Sequence, residues 1–288
     1  MDISVIIPCR NAEHTIGAQL EALCRQRWSG SWEVVVADNA STDRSQTIVE
    51  AFARRLPALR CVDASGRLGA AHARNIGARA ARGAALLFCD ADDEAGEGWL
   101  FAMAQALRTC DFAANRIDLE KLNPAAVARS LKNAQGRGLQ RVAYPPYLPH
   151  AGGSGLAIKR AIHFEVGGFD ETLPYLEDTD YCFRVQLAGW PLEFVPEAVM
   201  HVRLAPQAKS LFYQARMWAQ YNVLMNKRYG AGAHLPRAWR SYLHTWLGLM
   251  SRANRALRKE TRPVWMKTLG TQVGLLEGAI RYRVPPVR

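Results

Sequence analysis

Five consecutive apolar residues, Ala85 to Cys89, run straight into three carboxylates, Asp90, Asp92 and Asp93. A continuous apolar run without polar alternation is the pattern of a strand buried on both faces. A strand interior cannot hold ionised carboxylates, so the acids must lie at its carboxyl end, the edge where open α/β sheets bind ligands. Carboxylates this close repel one another unless a cation or a proton offsets the charge. Their oxygens are hard donors, suited to magnesium or manganese. An isolated Asp-X-Asp is more often a solvated acidic turn capping the next helix. What surrounds it decides.

The chain before this stretch alternates strand and helix signals. Ile3 to Ile7 reads as a buried strand stopped by Pro8, and Ile16, Leu20 and Leu23 recur at helical spacing. The junction Pro8-Cys9-Arg10-Asn11-Ala12 has no glycine-rich turn, which argues against a dinucleotide-binding fingerprint. Glu33 to Ala37 is a second strand, ending in Asp38. Ser41 or Asp43 is placed to cap the following helix; Asp38 either joins that turn or accepts hydrogen bonds from a nucleobase or ribose. After a short strand near 59–62, small residues from Gly69 to Gly77 predict a helix pressed closely on the sheet. Arg74 there either meets a phosphate or pairs with an acid. Strand-helix alternation of this kind predicts an α/β fold with a mainly parallel central sheet flanked by helices.

Beyond the acidic stretch, Trp99 to Leu107 reads as a helix and Asp111 to Ile117 as a strand. Residues 121–150 suggest a helix followed by a long loop, a frequent form for a substrate-facing segment. Gly152-Gly153-Ser154-Gly155 permits close backbone approach to a ligand but lacks the spacing and lysine of a P-loop. Glu177, Asp178 and Asp180 put three acids in four residues, more than a helix start requires. A strand over 192–195 leads to His201.

A chain of 288 residues accommodates one large domain with an appendage. The six cysteines are scattered without a CxxC pair, which fits a reducing cytosol. No apolar run approaches the roughly 18 to 20 residues of a spanning helix. Ile3 to Ile7 is too short for a signal peptide, so a cytoplasmic location is expected. The formal net charge is +11. From Arg203 to Arg288 there are 16 Lys and Arg against 2 acids, a net charge of +14, which leaves −3 for residues 1–202. The strongly basic C-terminal part points to an anionic partner.

That part also shows helical patterning. Leu211, Ala215, Trp218 and Met225 share one predicted helix face, with Lys209, Arg216 and Lys227 opposite. A second stripe comprises Trp239, Tyr242, Leu243, Trp246, Leu247 and Met250, followed by Arg252, Arg255, Arg258, Lys259 and Arg262. Such helices either pack on the main domain with solvated charges outside, or lie on an anionic membrane surface. Nucleic acid is disfavoured, because no binding motif accompanies the charge.

Seven motifs in order carry a resemblance to a known family: Val5 to Asn11, Asp38 to Asp43, Ala73 to Gly77, Phe88 to Asp93, Gly167 to Glu171, Glu177 to Asp180, and His201. The chain resembles the family-2 glycosyltransferases, which have the Rossmann-like, nucleotide-binding GT-A fold and transfer a sugar from a nucleotide donor with inversion. The resemblance covers residues 1–203, implying a catalytic domain there and a basic helical region over 204–288. It departs at Ala37-Asp38-Asn39, where many relatives have a hydrophobic residue and two aspartates, but Asp38 retains the first aspartate.

The resemblance implies roles. Pro8, Arg10, Asp38, Arg74, Asp90 and Ala91 would bind the donor nucleotide, a UDP-sugar being favoured, with Asp38 on the base and Asp90 on the ribose or metal. Asp92 and His201 would hold a divalent cation, Mn2+ or Mg2+. Gly153, Ser154 and Asp93 would face the donor sugar or the hydroxyl acceptor, a glycan, glycolipid or small-molecule glycoside. Asp178 would be the general base, with Glu177 beside it shifting its pKa or binding the acceptor. Two rivals stand beside this expectation. A sugar-phosphate nucleotidyltransferase would need a glycine-rich, lysine-containing loop after the first strand, which Pro8 to Ala12 does not supply. A non-catalytic membrane-associated scaffold of the same fold would not need Asp92 and Asp178.

Overall fold

The computed structural model describes residues 2–56, 58–130, 133–204, 208–230, 238–258 and 261–286. These form two compact units. The first comprises the residues up to Leu122, Asn133–Gln140 and Pro149–Arg203; the second comprises the described residues of 123–132, Arg141–Leu148 and the chain from Leu204 onward.

In the first unit, strands β1 (Ile3–Cys9), β2 (Trp32–Asp38), β3 (Arg60–Asp63) and β4 (Ala85–Phe88) alternate with helices α1 (Ile16–Cys24), α2 (Ser45–Ala51) and α3 (Ala70–Ala80). Strand β5 (Glu94–Ala95), helix α4 (Trp99–Ala106) and strand β6 (Phe112–Asp118) follow. Helix α5 (Ala125–Ser130) belongs to the second unit. After the two-residue strands β7 (Gln140–Arg141) and β8 (Pro149–His150) come β9 (Leu156–Lys159), α6 (Arg160–Glu165), α7 (Glu177–Leu187) and β10 (Leu192–His201).

Eight strands make one sheet in the order β3-β2-β1-β4-β9-β6-β10-β5. The pairs β1–β2, β1–β4, β2–β3 and β6–β10 are parallel, while β9 runs antiparallel to both neighbours and β5 to β10. The mainly parallel α/β expectation therefore holds, with two antiparallel strands added. Because β4 and β6 both run against β9, the carboxyl ends of β1, β2, β4, β6 and β10 share one edge of the sheet.

The apolar runs are buried on both faces because side chains alternate across a strand. Val5, Ile7 and Leu87 pack with Leu20 and Leu23 of α1 and Leu100 and Met103 of α4. Ile6, Leu86 and Phe88 face the other way, against Ala71 and Ala78 of α3, Phe169 and Tyr181. Sandwiched in this way, β4 has no room for a charge, and the chain releases its acids only where the strand ends.

The second unit is built on α8 (Ala208–Tyr229), α9 (Ala238–Met250), a 3-10 turn (Ala253–Ala256) and α10 (Arg262–Tyr282). Gly270 and Gly274 lie so close to α8 that a Cβ on either would collide with the carbonyl oxygens of Phe212 and Arg216 respectively. The four-residue glycine spacing thus lets α10 lie on α8 backbone to backbone. Arg216, expected on a solvated face, instead forms a two-pronged pair with Glu277 of α10, at 2.7 Å through Nε and 2.6 Å through Nη2. Leu211, Ala215 and Met225 are buried as expected, but Trp218 is 39% exposed. On a 22-residue helix an α-helical face drifts with length, and Ala219 and Val223 take the place assigned to Trp218 in the core. Lys259 lies outside the described residues. Among those residues, no helix is long and apolar enough to cross a membrane.

Candidate active site

Directly beyond β4, Asp90, Asp92 and Asp93 each offer an oxygen to one group whose atoms all lie within 4.8 Å of one another. The loop carrying them is pinned from three sides. Gln19 of α1, fully buried, donates from Nε2 to the Asp90 carbonyl at 3.1 Å and accepts from the Ala95 N–H at 2.8 Å. The Asp90 N–H donates to Ser154 Oγ at 3.2 Å. The Arg203 N–H donates to Asp93 Oδ1 at 3.0 Å. The sequence reading missed Gln19, yet a signal existed: it stands one residue from Leu20 on the apolar face of α1, where a buried amide needs a polar partner.

Crowding perturbs these acids. Asp92 reaches solvent but sits in a recess dense with protein atoms; desolvation, then the charge of Asp90, push its pKa up to about 6. Asp93 is buried and lies well above the usual carboxylate range for the same reasons, opposed by the Ser154 hydroxyl and the Arg203 N–H. An all-oxygen donor set held together against its own repulsion fits a hard divalent cation.

Arg74 joins this loop to α7. Its guanidinium, almost wholly buried, donates from Nη2 to Asp90 Oδ1 at 2.8 Å and from Nη1 to Glu177 Oε1 at 2.7 Å. Of the two roles open to Arg74 in the sequence, pairing with acids is the one seen. Burial alone would depress its pKa, but Asp90 and Glu177 raise it, so the cation is fixed.

Next to Glu177, Asp178 accepts from the Gly153 N–H at 2.9 Å on Oδ2 and from the Thr179 N–H at 2.7 Å on Oδ1. Burial raises its pKa, while Arg74 and the two amide donors oppose the rise. Glu177 is likewise raised, first by burial and then by Asp178, against the pull of Arg74. The close approach expected at Gly152 to Gly155 is realised within the protein: a Cβ on Gly153 would lie 2.6 Å from Arg74 Nη2, and one on Gly155, at φ +101°, would collide with the Asn115 amide.

The remaining residues lie along the same edge. Pro8 is half-buried, Arg10 is exposed and Ala91 is buried. Asp38, at the end of β2, accepts on Oδ2 from the Ser41 N–H at 3.3 Å and from Gln46 Nε2 at 2.8 Å, whereas its buried Oδ1 has no partner among the described residues. Asn39, passed over in the sequence, organises the neighbouring loop by donating to the Ala64 and Arg67 carbonyls and accepting from the Gly69 N–H. Asp43, rather than capping α2 at its first residue, accepts from the Ser45 N–H at 3.0 Å in a local turn. His201 stands outside the aspartate group. Its Nδ1 lies 2.7 Å from Asp118 Oδ2, a contact that fixes the ring.

The model for Glycosyl transferase family 2 matches residues 4–166, and that for Glycosyl transferase family group 2 matches residues 128–273. The chain is 28% identical over 189 residues to the uncharacterized glycosyltransferase YwdF of Bacillus subtilis, covering 64% of this chain and 68% of that protein. It is 34% identical over 91 residues to the UDP-Glc:alpha-D-GlcNAc-diphosphoundecaprenol beta-1,3-glucosyltransferase WfgD of Escherichia coli, covering 32% of this chain and 35% of that one. The matched stretches thus span from about a third to about two thirds of these two relatives. Among solved structures, the mannosyltransferase PcManGT of Pyrobaculum calidifontis, in complex with GDP-Man and Mn2+, aligns with a TM-score of 0.66 at 22% identity, over 97% of this chain and 86% of that one. That likeness establishes the GT-A fold. The first family model spans more than half of the chain and takes in β1, Asp38, Arg74, the three aspartates and Gly153; the chain belongs to glycosyl transferase family 2.

Proposed function

We propose that the protein transfers a sugar, a hexose type, from a nucleoside-diphosphate-sugar donor to a hydroxyl acceptor, with inversion at the anomeric carbon and with a divalent cation bound. The observation that carries this reading is the joining of two acidic sets through one buried cation: Asp90 at the end of β4 and Glu177 beside Asp178, both held by Arg74. A donor diphosphate needs positive charge, which a cation on the aspartates would supply, and an acceptor hydroxyl needs a base; the Arg74 clamp holds the two acidic sets together.

Asp178 is the general base. It takes the acceptor hydroxyl proton as that oxygen attacks the anomeric carbon; the bond from that carbon to the diphosphate oxygen breaks, and the nucleoside diphosphate leaves with the electron pair. A raised pKa suits the task, since a stronger base accepts a proton more readily. The Gly153 and Thr179 amides orient its carboxylate. Arg74 holds Glu177 and Asp90 in place, and Gly153 and Ser154 line the sugar side with Asp93. Asp38 Oδ1, without a partner among the described residues, suits a donor group on the nucleobase, and Pro8, Arg10 and Ala91 complete the nucleotide side.

Asp92 would hold the cation with Asp90 or Asp93, and His201, oriented by Asp118, would add a nitrogen ligand that favours Mn2+ over Mg2+. When bound, the cation neutralises charge on the departing diphosphate. The name of WfgD favours UDP-sugars and a lipid-diphosphate-linked glycan acceptor; PcManGT favours a guanosine donor instead. The six free thiols support a cytoplasmic site of action. The experiment is nucleoside diphosphate release from a panel of UDP- and GDP-sugars with Mn2+, comparing wild type with Asp178→Asn. Release by the wild type from at least one donor, lost in the variant, supports the reading; no release from any of them opposes it.

A further inference from the structure

The outward face of α9 is apolar. Trp239, Leu243, Leu247 and Met250, spaced at helical intervals, are 46%, 58%, 72% and 64% exposed. The inward face of the same helix is already seated on α10: the Tyr242 hydroxyl donates to the Gln272 carbonyl at 3.3 Å, and Trp265 Nε1 donates to the Leu249 carbonyl at 3.2 Å. The stripe read from the sequence is therefore two stripes, and the larger one faces solvent. Just beyond it, Leu257 is 82% exposed between Arg255 and Arg258.

Charge decides what can cover such a face. Residues 238–258 contain Arg240, Arg252, Arg255 and Arg258 and no Asp or Glu. All four arginines are exposed, and none forms an ion pair among the described residues. Arg252 and Arg255 also line a cavity of about 480 Å³ between α9 and α10, together with Leu249, Val264 and Trp265. An apolar ridge accompanied by exposed arginines that have no acidic partner among the described residues, with a tryptophan at one end, matches the requirements of a helix lying in the plane of an anionic bilayer surface: acyl chains meet the ridge and lipid phosphates meet the guanidinium groups.

We infer that the C-terminal helical unit docks on an anionic lipid surface through the outward face of α9 and the arginines that follow it. This stands apart from the sugar-transfer reading and survives or fails without it.

The test is co-sedimentation of the full chain with vesicles of phosphatidylglycerol and phosphatidylcholine, against vesicles of phosphatidylcholine alone. Binding to the anionic vesicles alone is expected, falling steeply as salt rises from about 0.1 M to about 1 M and the screening length shrinks from about 10 Å to about 3 Å. Arg252→Gln, Arg255→Gln and Arg258→Gln together should lower partitioning by roughly a hundredfold. Leu243→Glu with Leu247→Glu should abolish it with an unchanged circular dichroism spectrum. No binding to anionic vesicles at low salt overturns the inference. So does a wild-type dimer in light scattering that the glutamate pair dissolves without any vesicle binding, which would give the face to a second copy of the chain. Since the arginine variant keeps every residue of the apolar ridge, equal binding by it would overturn the inference even if the glutamate pair misfolded.

Discussion

Arg74 of α3 and Glu177 at the start of α7 meet at 2.7 Å, and the same guanidinium holds Asp90 at 2.8 Å. One side chain thereby ties the end of β4 to the acid pair proposed to handle the acceptor. Arg74 is buried and its two partners partly so; the net worth of such a cluster to stability is small, but removing the cation leaves the carboxylates uncompensated. Arg74→Ala should destabilise the protein by about 3 to 5 kcal/mol in urea unfolding. Arg74→Lys should recover little, because an ammonium cannot span two carboxylates in fixed directions. A variant within about 1 kcal/mol of wild type would show that the clamp is dispensable.

Asp178→Asn should lower kcat by about 10² to 10⁴, the usual scale for losing a general base, while donor binding persists. Steady-state kinetics beside donor titration separates the two effects. Normal turnover by Asp178→Asn with a dead Glu177→Gln would exchange the roles of the pair. Gly153→Ala should impair both, because its Cβ would lie 2.6 Å from Arg74 Nη2.

Much of this was legible in the sequence, for identifiable reasons. The run Ala85 to Cys89 can only be interior, so the acids after it had to fall at a sheet edge. Parallel order followed from strand-helix alternation, and β9 escaped because a strand that enters antiparallel carries no signature in its own four residues. Asp38, Asp90, Asp92 and Asp178 were visible as acids at strand ends and at one helix start, gathered more densely than a turn or cap requires. Gln19, Asn39 and Asp118 were not, since each acts by positioning another group and looks ordinary beside its chain neighbours. The exposed face of α9 was invisible for a different reason. Period alone says which residues share a face, but α9 has apolar residues on two sides, and only packing shows which side the core takes.

His163 should contribute an acid-sensitive part of the first unit's stability in a defined window. His163 is buried, with Nδ1 2.8 Å from the Tyr181 hydroxyl, and burial lowers its pKa to about 4 from an ordinary 6.5. Between those values the unfolded chain binds a proton at this site that the folded one does not, so the stability owed to neutral His163 is full above about pH 6.5 and falls as pH drops toward 4. The contribution is at most about 1.4 kcal/mol per pH unit. Denaturation midpoints measured from pH 7 to pH 4.5 should show a shallower decline in His163→Asn. An identical slope would place the acid sensitivity elsewhere.

Asp92→Asn should make the metal-free protein more stable, not less. The folded-state pKa of Asp92 is raised to about 6, so at pH 7.5 its ionisation opposes folding, and the amide removes that opposition. Melting temperature in EDTA should rise in the variant. A fall would mean that Asp92 makes structural contacts of its own.

The most direct test of the central claim is thermal shift with nucleoside diphosphates, with and without Mn2+. A ligand that binds only the folded state raises the melting temperature by mass action. For the wild type we predict a rise with UDP or GDP that depends on Mn2+ and is abolished by EDTA, and for Asp92→Asn no Mn2+-dependent rise. An equal nucleotide-induced rise in EDTA, or an Mn2+-dependent rise undiminished in Asp92→Asn, would contradict the assignment of this edge of the sheet as a cation-dependent donor site.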